Sequence, residues 1–416
     1  MEEVLKDVFR MDIIKPESTV ICRIDINSPI KKLDNEIKII DDTRFRGHEK
    51  TIRTLVNNSN RVILLAHQGR PGNADFVPLK AHADLLSEVL DIEIKYVDDI
   101  IGPRAIEAIE KLRSAEVLLL DNVRFLEFEC KNKTPEEHAE SPLVRILSKY
   151  ADYFVLDGFA VSHRSHASVV GFAPVLPSAI GLLMESEILN LSYVRRKVNS
   201  YTLVFGGAKL SDAIKYIGKF LRSGKTNRIL LTGLTALAFH MVRGYRIPSS
   251  TKKLIIEIAG DMIDKIRDLA KSDKIVLPID YGVEINGDRK DIPIEELGNI
   301  DAPAKDVGPR TIEYYLDLVK DTEVVLLKGP AGVIEDEKFA WGSRVFLERL
   351  FKMNKFAMFF GGHLVSVLRK IDDSIKNGKY FVSTGGGAAV EYLIEGTLAG
   401  LEALKLSHRI FADKLR

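Results

Sequence analysis

Arginine and histidine side chains follow the apolar runs in the first half of the chain. They are Arg44, His67, Arg70, Arg124, His163, Arg164 and His166. The planar arginine fork binds two oxygens of a carboxylate or phosphate at once and keeps its charge at any working pH. Several such forks suit a small ligand that carries a phosphate at one end and a carboxylate at the other. Asp25 and Asn27, in the run STVICRIDIN, are expected to orient a hydroxyl of that ligand or to hold the arginines in place.

The alternative for each arginine is an ordinary surface position, since arginine is mostly exposed in proteins. That alternative explains one arginine well, but it explains four arginines at separate run ends poorly. The group HRSH, residues 163–166, could also form a metal site. Its two histidines have no cysteine or carboxylate ligand nearby in the sequence, so the pattern disfavours a metal.

Glycine follows the apolar runs in the second half of the chain. The runs are YTLVFGGAK, NRILLTGL, KIVLPIDYG, EVVLLKGPAG, KFAMFFGGH and KYFVSTGGGAA. Glycine lets backbone N–H groups approach a phosphate closely, above all where a helix begins. The segment FGGAK precedes the helix-like LSDAIKYIGKFL. We therefore expect a phosphate site there, with Lys209 as a mobile point charge.

A single pair of glycines is more often a plain turn, and the GxxxxGK[ST] spacing of a Walker A loop is absent. The segments KGPAG and STGGGAA repeat the signal after later runs. Three glycine clusters at one sheet edge favour a nucleotide site. Glu335 could contact the ribose hydroxyls of that nucleotide or remain a solvated carboxylate, and the sequence leaves both roles open.

Short apolar runs alternate with amphipathic segments along almost the whole chain, which predicts βα units and parallel sheets. Ligands of such sheets bind beyond the carboxyl ends of the strands. The predicted fold is α/β, with two Rossmann-like domains, each a parallel sheet flanked by helices, joined by a hinge helix. The predicted segments are 1–183 for the first domain, 184–200 for the hinge helix, 201–396 for the second domain and 397–416 for a C-terminal segment that packs back on the first domain.

Length and charge narrow the class of protein. A chain of 416 residues is too long for one ordinary core. The net charge is +1, from 60 Lys and Arg against 59 Asp and Glu, so we expect neither nucleic acid nor membrane as a partner. No apolar stretch approaches the roughly 20 residues that span a bilayer, and MEEVLKDVFR lacks the apolar centre of a secretory signal. We expect a cytoplasmic protein.

Eight motifs resemble those of the phosphoglycerate kinase family. In the first half, RIDINSP, AHQGRP, DNVRF and HRSHAS resemble R-x-D-x-N-x-P, S-H-L-G-R-P, E-N-x-R-F and H-R-A-H-x-S. In the second half, GGAKLSD, DVGPRT, KGPAGVIE and STGGG resemble G-G-A-K-V-x-D, D-I-G-P-x-T, N-G-P-x-G-x-F-E and T-G-G-G-D. The motifs occur in the family's order over essentially the full length, so the resemblance is specific.

The resemblance implies a hinge-bending kinase of glycolysis and gluconeogenesis. It would transfer a phosphoryl group reversibly between 1,3-bisphosphoglycerate and ADP, giving 3-phosphoglycerate and ATP, with Mg2+ accompanying the nucleotide. By motif match, the residues that hold the phosphoglycerate are Asp25, Asn27, Arg44, His67, Arg70, Arg124 and Arg164. Those around the nucleotide are Gly206, Gly207, Ala208, Lys209, Lys328, Gly329, Pro330, Glu335, Gly385, Gly386 and Gly387. Arg44 and Lys209 are the implied catalytic residues, and we expect a monomer.

Three positions depart from the family's pattern. The family's second lysine after G-G-A-K is Ala213, the asparagine of N-G-P is Lys328, and the aspartate of G-G-G-D, which approaches magnesium, is Ala388. The protein ligand for magnesium is therefore unknown, although magnesium often keeps its waters and binds substrate phosphates. The change at 213 and the change at 328 together suggest that one positive charge has moved between two positions near the phosphates. A surface lysine acquired by neutral drift is the alternative.

Two other classes of protein remain for comparison. A catalytically impaired paralogue would keep both anion sites and act as a nucleotide-binding or anion-binding protein, but the intact Arg44 and Lys209 favour the enzyme. A nicotinamide dehydrogenase requires GxGxxG after the first strand and an acidic residue about 20 positions further on. The segment RIDINSP meets neither requirement.

Overall fold

The structure, a computed structural model, describes residues 4–33, 36–207, 209–361, 363–371 and 380–415. The chain divides into two compact units. Unit 1 comprises Met1–Tyr193 and Thr384–Arg416, and unit 2 comprises Val194–Ser383. Each unit contains a parallel sheet flanked by helices, which confirms the predicted fold class.

A six-stranded parallel sheet lies at the centre of unit 1. The strands of this unit are β1 Thr19–Arg23, β2 Ile30–Leu33, β3 Glu36–Ile39, β4 Arg61–Leu65, β5 Ile94–Val97, β6 Val117–Leu120, β7 Tyr153–Leu156 and β8 Ser178–Ile180. The sheet order is β5-β6-β4-β1-β7-β8, and β2 pairs with β3 in a separate hairpin. Every residue of β1, β6 and β7 is buried, as expected for a parallel sheet covered on both faces. Because β1 lies between β4 and β7, the segment after β1 is central among the loops at the carboxyl edge.

Unit 2 repeats this plan and adds a small antiparallel sheet. Its strands are β9 Tyr201–Phe205, β10 Thr226–Leu231, β11 Ile275–Val276, β12 Asp280–Ile285, β13 Asp288–Pro293, β14 Ala304–Val307, β15 Val324–Lys328, β16 Phe356–Phe360 and β17 Tyr380–Ser383. The parallel sheet has the order β11-β10-β9-β15-β16-β17, and the antiparallel sheet has the order β13-β12-β14. β9 lies between β10 and β15, and Phe205 pairs with both Leu231 and Lys328. The glycine segments that follow these three strands therefore begin at the same level of the sheet.

Helices connect and cover the strands. They are α1 Thr43–Gly47, α2 Glu49–Asn57, α3 Lys80–Leu90, α4 Pro103–Glu110, α5 Pro135–Ala139, α6 Pro142–Leu147, α7 Ala167–Val170, α8 Leu182–Lys197, α9 Leu210–Arg222, α10 Gly233–Val242, α11 Ser249–Ala259, α12 Ile263–Leu269, α13 Ile294–Leu297, α14 Pro309–Leu318, α15 Trp341–Lys352, α16 His363–Arg369, α17 Gly387–Glu395 and α18 Ala399–Leu415. In α9 the buried Leu210, Ile214 and Ile217 recur at helical spacing, which gives the helix one apolar face. The boundary between the units falls inside α8, after Tyr193.

The last part of the chain belongs to unit 1. Thr384 donates to Glu187 in α8 through its backbone N–H at 2.6 Å and through its hydroxyl at 2.8 Å. The Ser407 hydroxyl in α18 accepts a hydrogen bond at 2.9 Å from the backbone N–H of Ser178 in β8. The predicted second domain extends to residue 396, whereas residues 384–396 belong to unit 1. The predicted and observed boundaries differ because Thr384, which directly follows β17, forms hydrogen bonds with Glu187 of unit 1.

Candidate active site

Four guanidinium groups of unit 1 act electrostatically on His67. Burial and the charges of Arg23, Arg124, Arg164 and Arg44, in decreasing order of effect, place the pKa of His67 well below its ordinary value. The four guanidinium groups come from β1, from the segments after β6 and β7, and from α1. His67 itself follows β4 and is only 2% exposed. The structure thus brings four of the predicted residues together and adds Arg23, which the sequence analysis did not select.

Asp25 is the carboxylate at the centre of this cluster. It forms an ion pair with Arg44, and its Oδ1 accepts a hydrogen bond from the backbone N–H of Asn27 at 3.1 Å. Burial alone would raise the pKa of Asp25, but Arg44, Arg23 and the Asn27 amide outweigh it, so the pKa lies below its ordinary value. Asp25 is therefore ionised at neutral pH. The Arg44 side chain is 31% exposed, which leaves part of its guanidinium accessible to a ligand.

A buried His48–Asp157 pair supports the segment that carries Asp25. His48 Nδ1 lies 2.6 Å from Asp157 Oδ2, and the backbone N–H of Asp25 donates to His48 Nε2 at 2.9 Å. The other Asp157 oxygen accepts from the backbone N–H of Leu183 at 2.9 Å, in the first turn of α8. Sequence reasoning missed both residues, although Asp157 directly follows a predicted run. Their partners are 23 and 109 residues away, and only the fold reveals such pairs.

The turn after β4 has a backbone that requires glycine. Gly69 has φ +67°, and a Cβ atom there would clash with the Asp75 carbonyl. Its N–H donates to Asn27 Oδ1 at 2.9 Å, and its carbonyl accepts a hydrogen bond from Arg124. Asn27 and Arg124, both predicted ligand residues, therefore also shape this turn. Burial lowers the pKa of Arg124 to about 10, with Arg164 the next cause, so its guanidinium stays charged at neutral pH.

The remaining basic residues of unit 1 differ in exposure. Arg70 is exposed, whereas His163, Arg164 and His166 are half-buried. Burial and the charge of Arg164 lower the pKa of His166 to about 3, so His166 is neutral at physiological pH. Arg164 Nε lies 3.3 Å from His163 Nε2. Arg164 belongs to the cluster around His67, whereas the exposed Arg70 is not among the charges that act on His67.

Three glycine segments meet at the carboxyl edge of the parallel sheet in unit 2. A Cβ atom at Gly206 would clash with the Pro330 carbonyl, and one at Gly329 would clash with the Gly206 carbonyl. Gly207 has φ +95° with open space beside its Cα, so its backbone faces an accessible region. Gly233, at the start of α10, packs with its Cα against the Gly207 backbone. Gly206, Gly207, Gly329 and Pro330 thus form one glycine-lined cradle, together with Gly233, to which sequence reasoning gave no role.

Two lysines lie beside this cradle. Lys209 is exposed and directly precedes α9, and Lys328 is the half-buried last residue of β15. Lys328 Nζ lies 5.1 Å from the centre of the Tyr216 ring, within reach of a cation–π contact. Burial lowers the pKa of Lys328, Asp212 opposes that shift, and Lys209 adds to it. The charges of Asp212 and Lys209 therefore both act on the Lys328 ammonium group.

A buried carboxylate anchors the loop that follows Gly329. Asp306 Oδ2 accepts hydrogen bonds at 2.7 Å from Arg289 Nη1 and from the backbone N–H of Gly342. The Arg289 guanidinium lies 4.7 Å from the Trp341 ring centre. A Cβ atom at Gly332 would contact Asp306 Oδ1 at 2.5 Å, so the loop packs directly on this carboxylate. Asp306 is the first residue of the motif DVGPRT, but sequence reasoning gave it no role.

The other residues predicted to bind the nucleotide differ in their exposure and in the unit to which they belong. Glu335 is exposed, and no hydrogen bond or ion pair joins its carboxylate to the described part of the chain. Gly385 and Gly386 precede α17 and Gly387 begins it, and all three belong to unit 1. A Cβ atom at Gly385 would clash with the Phe159 ring, so close packing is one reason for glycine there. Ala208 lies outside the described residues.

Metal ligands are scarce in the described structure. Among residues 4–33, 36–207, 209–361, 363–371 and 380–415, no group of three or more His, Cys, Asp or Glu side chains could hold a metal ion. Ala388 is buried in the first turn of α17 and offers no carboxylate. In the same ranges, no helix is both long enough and apolar enough to cross a membrane.

An arginine-rich cluster at the edge of one parallel sheet and a glycine-lined edge on another are the features of a two-unit α/β phosphotransferase. Residues 11–396 match the family model described as phosphoglycerate kinase. The chain belongs to the phosphoglycerate kinase family.

Curated relatives and solved structures agree with that assignment. The chain is 40% identical over 399 residues to the phosphoglycerate kinase of Saccharolobus solfataricus, covering 95% of this chain and 96% of the relative. It is 39% identical over 389 residues to that of Archaeoglobus fulgidus, covering 93% of each. The crystal structure of phosphoglycerate kinase from Pyrococcus horikoshii OT3 matches with a TM-score of 0.87 and 33% identity, covering 96% of this chain and 99% of that one. The comparisons support the enzyme, and they give no support to the alternative of an impaired paralogue.

Proposed function

We propose that the chain catalyses reversible phosphoryl transfer between 1,3-bisphosphoglycerate and ADP, giving 3-phosphoglycerate and ATP. The observation that carries the proposal is the cluster beyond the strands of unit 1, where Arg23 Nη2 lies 3.1 Å from His67 Nδ1, Arg44 forms an ion pair with Asp25, and Arg124 donates to the Gly69 carbonyl. A small acid with one carboxylate and one phosphate matches that density of cationic donors, because each arginine can bind two oxygens at once. An acyl phosphate of the same acid adds a second phosphoryl group, which is the one transferred.

Unit 1 is the proposed phosphoglycerate site. Arg70, Arg124 and Arg164 would hold the anionic groups of the acid, with His67 as an additional donor. Asp25 and Asn27 would orient the hydroxyl. Arg44 would contact the transferring phosphoryl group, because its guanidinium is held by Asp25 and is still partly exposed.

Unit 2 is the proposed nucleotide site. The backbone of Gly206, Gly207 and Gly329 would bind the phosphates, Pro330 would border them, and Lys209 would neutralise their charge. Glu335 is proposed as a contact to the ribose hydroxyls. The run Gly385–Gly387 is proposed to contribute backbone N–H groups at the start of α17, together with Ala208 from the first glycine segment.

The chemistry of this transfer places few demands on proton transfer. In the direction that forms ATP, a terminal oxygen of ADP bonds to phosphorus while the bond from phosphorus to the carboxyl oxygen breaks. The leaving group is a carboxylate, so no general base is required. The transition state spreads negative charge over the equatorial oxygens, and catalysis consists of positioning and cationic stabilisation. One positioned donor is worth roughly 3–4 kcal/mol in comparable sites, which is the size of contribution proposed for Arg44 and for Lys209.

Magnesium is proposed to arrive with the nucleotide. The described residues offer no ready-made cage of ligands, and magnesium commonly keeps its waters and binds through substrate phosphates. Its chemistry when bound is to neutralise phosphate charge. The residues of this chain need only bind the phosphates that carry it.

Lys328 is proposed to supply the positive charge that Ala213 lacks. Ala213 is fully buried in α9, one position after Asp212 and three before Tyr216. Lys328 contacts the Tyr216 ring and interacts with Asp212 and Lys209. A lysine on β15 therefore reaches the same first turn of α9 in which residue 213 lies.

The reaction also requires that both ligands meet away from water, since a reactive acyl phosphate would otherwise be hydrolysed. We propose a hinge motion for this purpose, and a cytoplasmic monomer as the working form. Small-angle scattering with and without both substrates would test the motion, and sedimentation would test the oligomeric state.

A coupled assay with 3-phosphoglycerate, ATP and magnesium tests the proposed function directly. The expected result is ADP formation that depends on all three components. Calorimetry with each ligand runs in parallel. Binding of both ligands without turnover would favour the non-catalytic binding protein and overturn the proposal.

A further inference from the structure

Arg23 is the most buried cation of the anion site. It is the last residue of β1 and is 1% exposed. Its Nε donates to the Ser168 hydroxyl at 2.8 Å, and its Nη2 lies 3.1 Å from His67 Nδ1. Its Nη1 donates to the carbonyls of Ile24 and Leu65. The guanidinium therefore has a defined partner on each nitrogen.

The anchor of Arg23 continues to a buried carboxylate. The Ser168 hydroxyl donates to Glu129 Oε1 at 2.6 Å, and the Ser168 backbone N–H donates to Glu129 Oε2 at 2.9 Å. Glu129 has no exposed surface. Ser168 thus links the buried anion to the buried cation, and the link orients the face of Arg23 that meets His67.

The contact with Arg23 decides which nitrogen of His67 carries the proton. Arginine has donors only and no acceptor, so His67 Nδ1 must accept the hydrogen bond from Arg23 with its lone pair. The single proton of the neutral ring then lies on Nε2. This assignment follows from the donor chemistry of arginine and needs no observed hydrogen position.

The Nε2 side of His67 is available to a ligand. Nε2 makes no hydrogen bond with the described residues. It also differs from the fully buried polar atoms that lack a partner, because it is not one of them. By contrast, Nδ1 of His82 and Nδ1 of His240 are both buried without a partner in the described structure. The N–H of His67 therefore points to accessible space at the anion site.

The surroundings keep the His67 ring uncharged. The groups that act on it are Arg23 from β1, Arg44 from α1, Arg124 after β6, Arg164 before α7, and Asp25, whose Oδ1 lies 3.8 Å from Nδ1. Burial and the four guanidinium groups lower the pKa of His67 well below its ordinary value. The ring is neutral over the whole physiological pH range.

We infer that Arg23, held by Ser168 and Glu129, is a positioning residue that fixes His67 as the neutral tautomer with its proton on Nε2. His67 then donates one directional hydrogen bond to an anionic ligand oxygen without adding a further positive charge to a site that already holds four guanidinium groups. The identity of that oxygen, a phosphoglycerate oxygen, rests on the proposed function. The assignment of the tautomer does not rest on the proposed function.

Nitrogen NMR on the full chain labelled in its histidines tests the tautomer without any assay of activity. The chain has nine histidines, and His67→Gln assigns the relevant signals. We expect a proton on Nε2 and none on Nδ1 of His67 from pH 5.5 to pH 8, with His240 of unit 2 as an internal reference. A proton on Nδ1, or a doubly protonated ring at pH 6.5, overturns the inference.

Variants test the role of Arg23. In Arg23→Met we expect His67 to lose the fixed tautomer and its pKa to rise, because one of the charges that lower it is removed, while the His240 signals stay unchanged. Arg23→Met leaves Glu129 as an uncompensated buried charge, so the double variant Arg23→Met with Glu129→Gln is measured as well. Unaltered His67 signals in a folded variant overturn the positioning role.

Kinetics supplies a second readout that a purely structural role would not produce. In Arg23→Met, loss of the hydrogen bond from His67 to the charged ligand is expected to raise the KM for 3-phosphoglycerate about tenfold to hundredfold. The kcat should change much less, and KM should acquire a new dependence on pH below 7. Arg61→Met is the matched control, because Arg61 begins β4 and donates to Thr19, away from the carboxyl edge. A KM equal to that of the control overturns the inference. Absence of turnover in the wild type would overturn the proposed function only, because the tautomer is measured by NMR.

Discussion

The arginines of the anion site divide into two groups by their exposure. Arg23 is fully buried and its donors are bound to protein partners, whereas Arg44 is partly exposed beside Asp25. A buried arginine can orient other groups, but only an accessible one can contact a transferring phosphoryl group. The lysines differ less, since Lys209 is exposed and Lys328 is half-buried like Arg44.

Arg44→Ala and Lys209→Ala are each expected to lower kcat by at least about a hundredfold, because each removes a positioned cation from the transition state. Circular dichroism and the melting temperature should remain near those of the wild type. Steady-state kinetics in both directions provides the measurement. Arg46→Ala and Lys215→Ala are matched controls, since Arg46 is an exposed residue of α1 beside Arg44 and Lys215 is an exposed residue of α9, which follows Lys209. Turnover near the control values in Arg44→Ala would show that its assigned role is wrong.

Lys328→Asn is expected to raise the KM for ADP about tenfold or more, because it removes a charge-assisted contact to phosphate. Adding Ala213→Lys should restore most of the affinity if the charge can be supplied from either position. Calorimetry with ADP and with adenosine separates the phosphate contribution, since adenosine binding should not change. Lys215→Asn is the control, because Lys215 lies 5.9 Å from the same Tyr216 ring on an exposed position. An unchanged KM in Lys328→Asn would favour neutral drift.

At the scale of elements, the loops of the two proposed ligand sites depend on anchors outside the loops. The segment after β15 contacts Asp306, which also binds Arg289 and the start of α15. The turn after β4 is held by Asn27 and Arg124. Both loops are thus positioned by buried polar groups on neighbouring elements, and a change in such an anchor is expected to affect the stability of its unit.

The pH dependence of unit 2 is expected to include a contribution from Asp306. Burial raises the pKa of this carboxyl from 3.8 to about 6, against the opposing effect of Arg289. Because the pKa in the folded state lies above the ordinary value, the contribution is fully present below about pH 4 and is lost as the pH rises through 6. At 1.36 kcal/mol per pKa unit, the loss is on the order of 3 kcal/mol.

Urea unfolding followed by the fluorescence of Trp341, the one tryptophan of the chain, measures this dependence from pH 4 to pH 8. In Asp306→Asn the decrease in stability between pH 4 and pH 7 should be smaller than in the wild type. Asp291→Asn is the control, because Asp291 pairs with the same Arg289 but has a 37% exposed side chain. An identical pH slope in Asp306→Asn and the wild type would contradict the expectation.

At the scale of the whole molecule, the chain passes from unit 1 to unit 2 and returns to unit 1 at Thr384. The returning helix α18 contacts α7 and β8, and Ser407 caps the backbone of Ser178. The integrity of the proposed phosphoglycerate site therefore depends on residues at the far end of the chain. Because α18 belongs to unit 1, we expect it to stabilise unit 1 and not unit 2.

Leu404→Ala tests whether α18 stabilises unit 1 and not unit 2. Leu404 is 1% exposed, and removal of a buried leucine side chain costs about 2–5 kcal/mol. Hydrogen exchange in β1 and β8 should become faster, while the unfolding transition followed by Trp341 should not shift. Ile410→Ala is the control, because Ile410 lies in the same helix but is 39% exposed. A shift of the Trp341 transition as large as the change in unit 1 would show that α18 stabilises both units.

Much of the fold and part of the site could be predicted from local patterns. Apolar runs that end in arginine, histidine or glycine indicate the parallel strands, and they also indicate the edge of the sheet at which the predicted ligand residues lie. Asp25, His67 and Arg124 could be selected in this way because each lies in the segment that follows a strand. Gly385–Gly387 was assigned to the second domain by the same rule, whereas its contacts place it in unit 1.

The sequence by itself determined the class of fold and the chemical character of the two ligand edges, because alternation of apolar and polar residues and the placement of glycine act over a few residues. Only the tertiary structure decided which side chains support those edges. Arg23 with Ser168 and His48 with Asp157 are 145 and 109 residues apart. Such pairs are selected by burial, since a buried charge or polar ring requires a partner, and no local pattern shows where along the chain that partner lies.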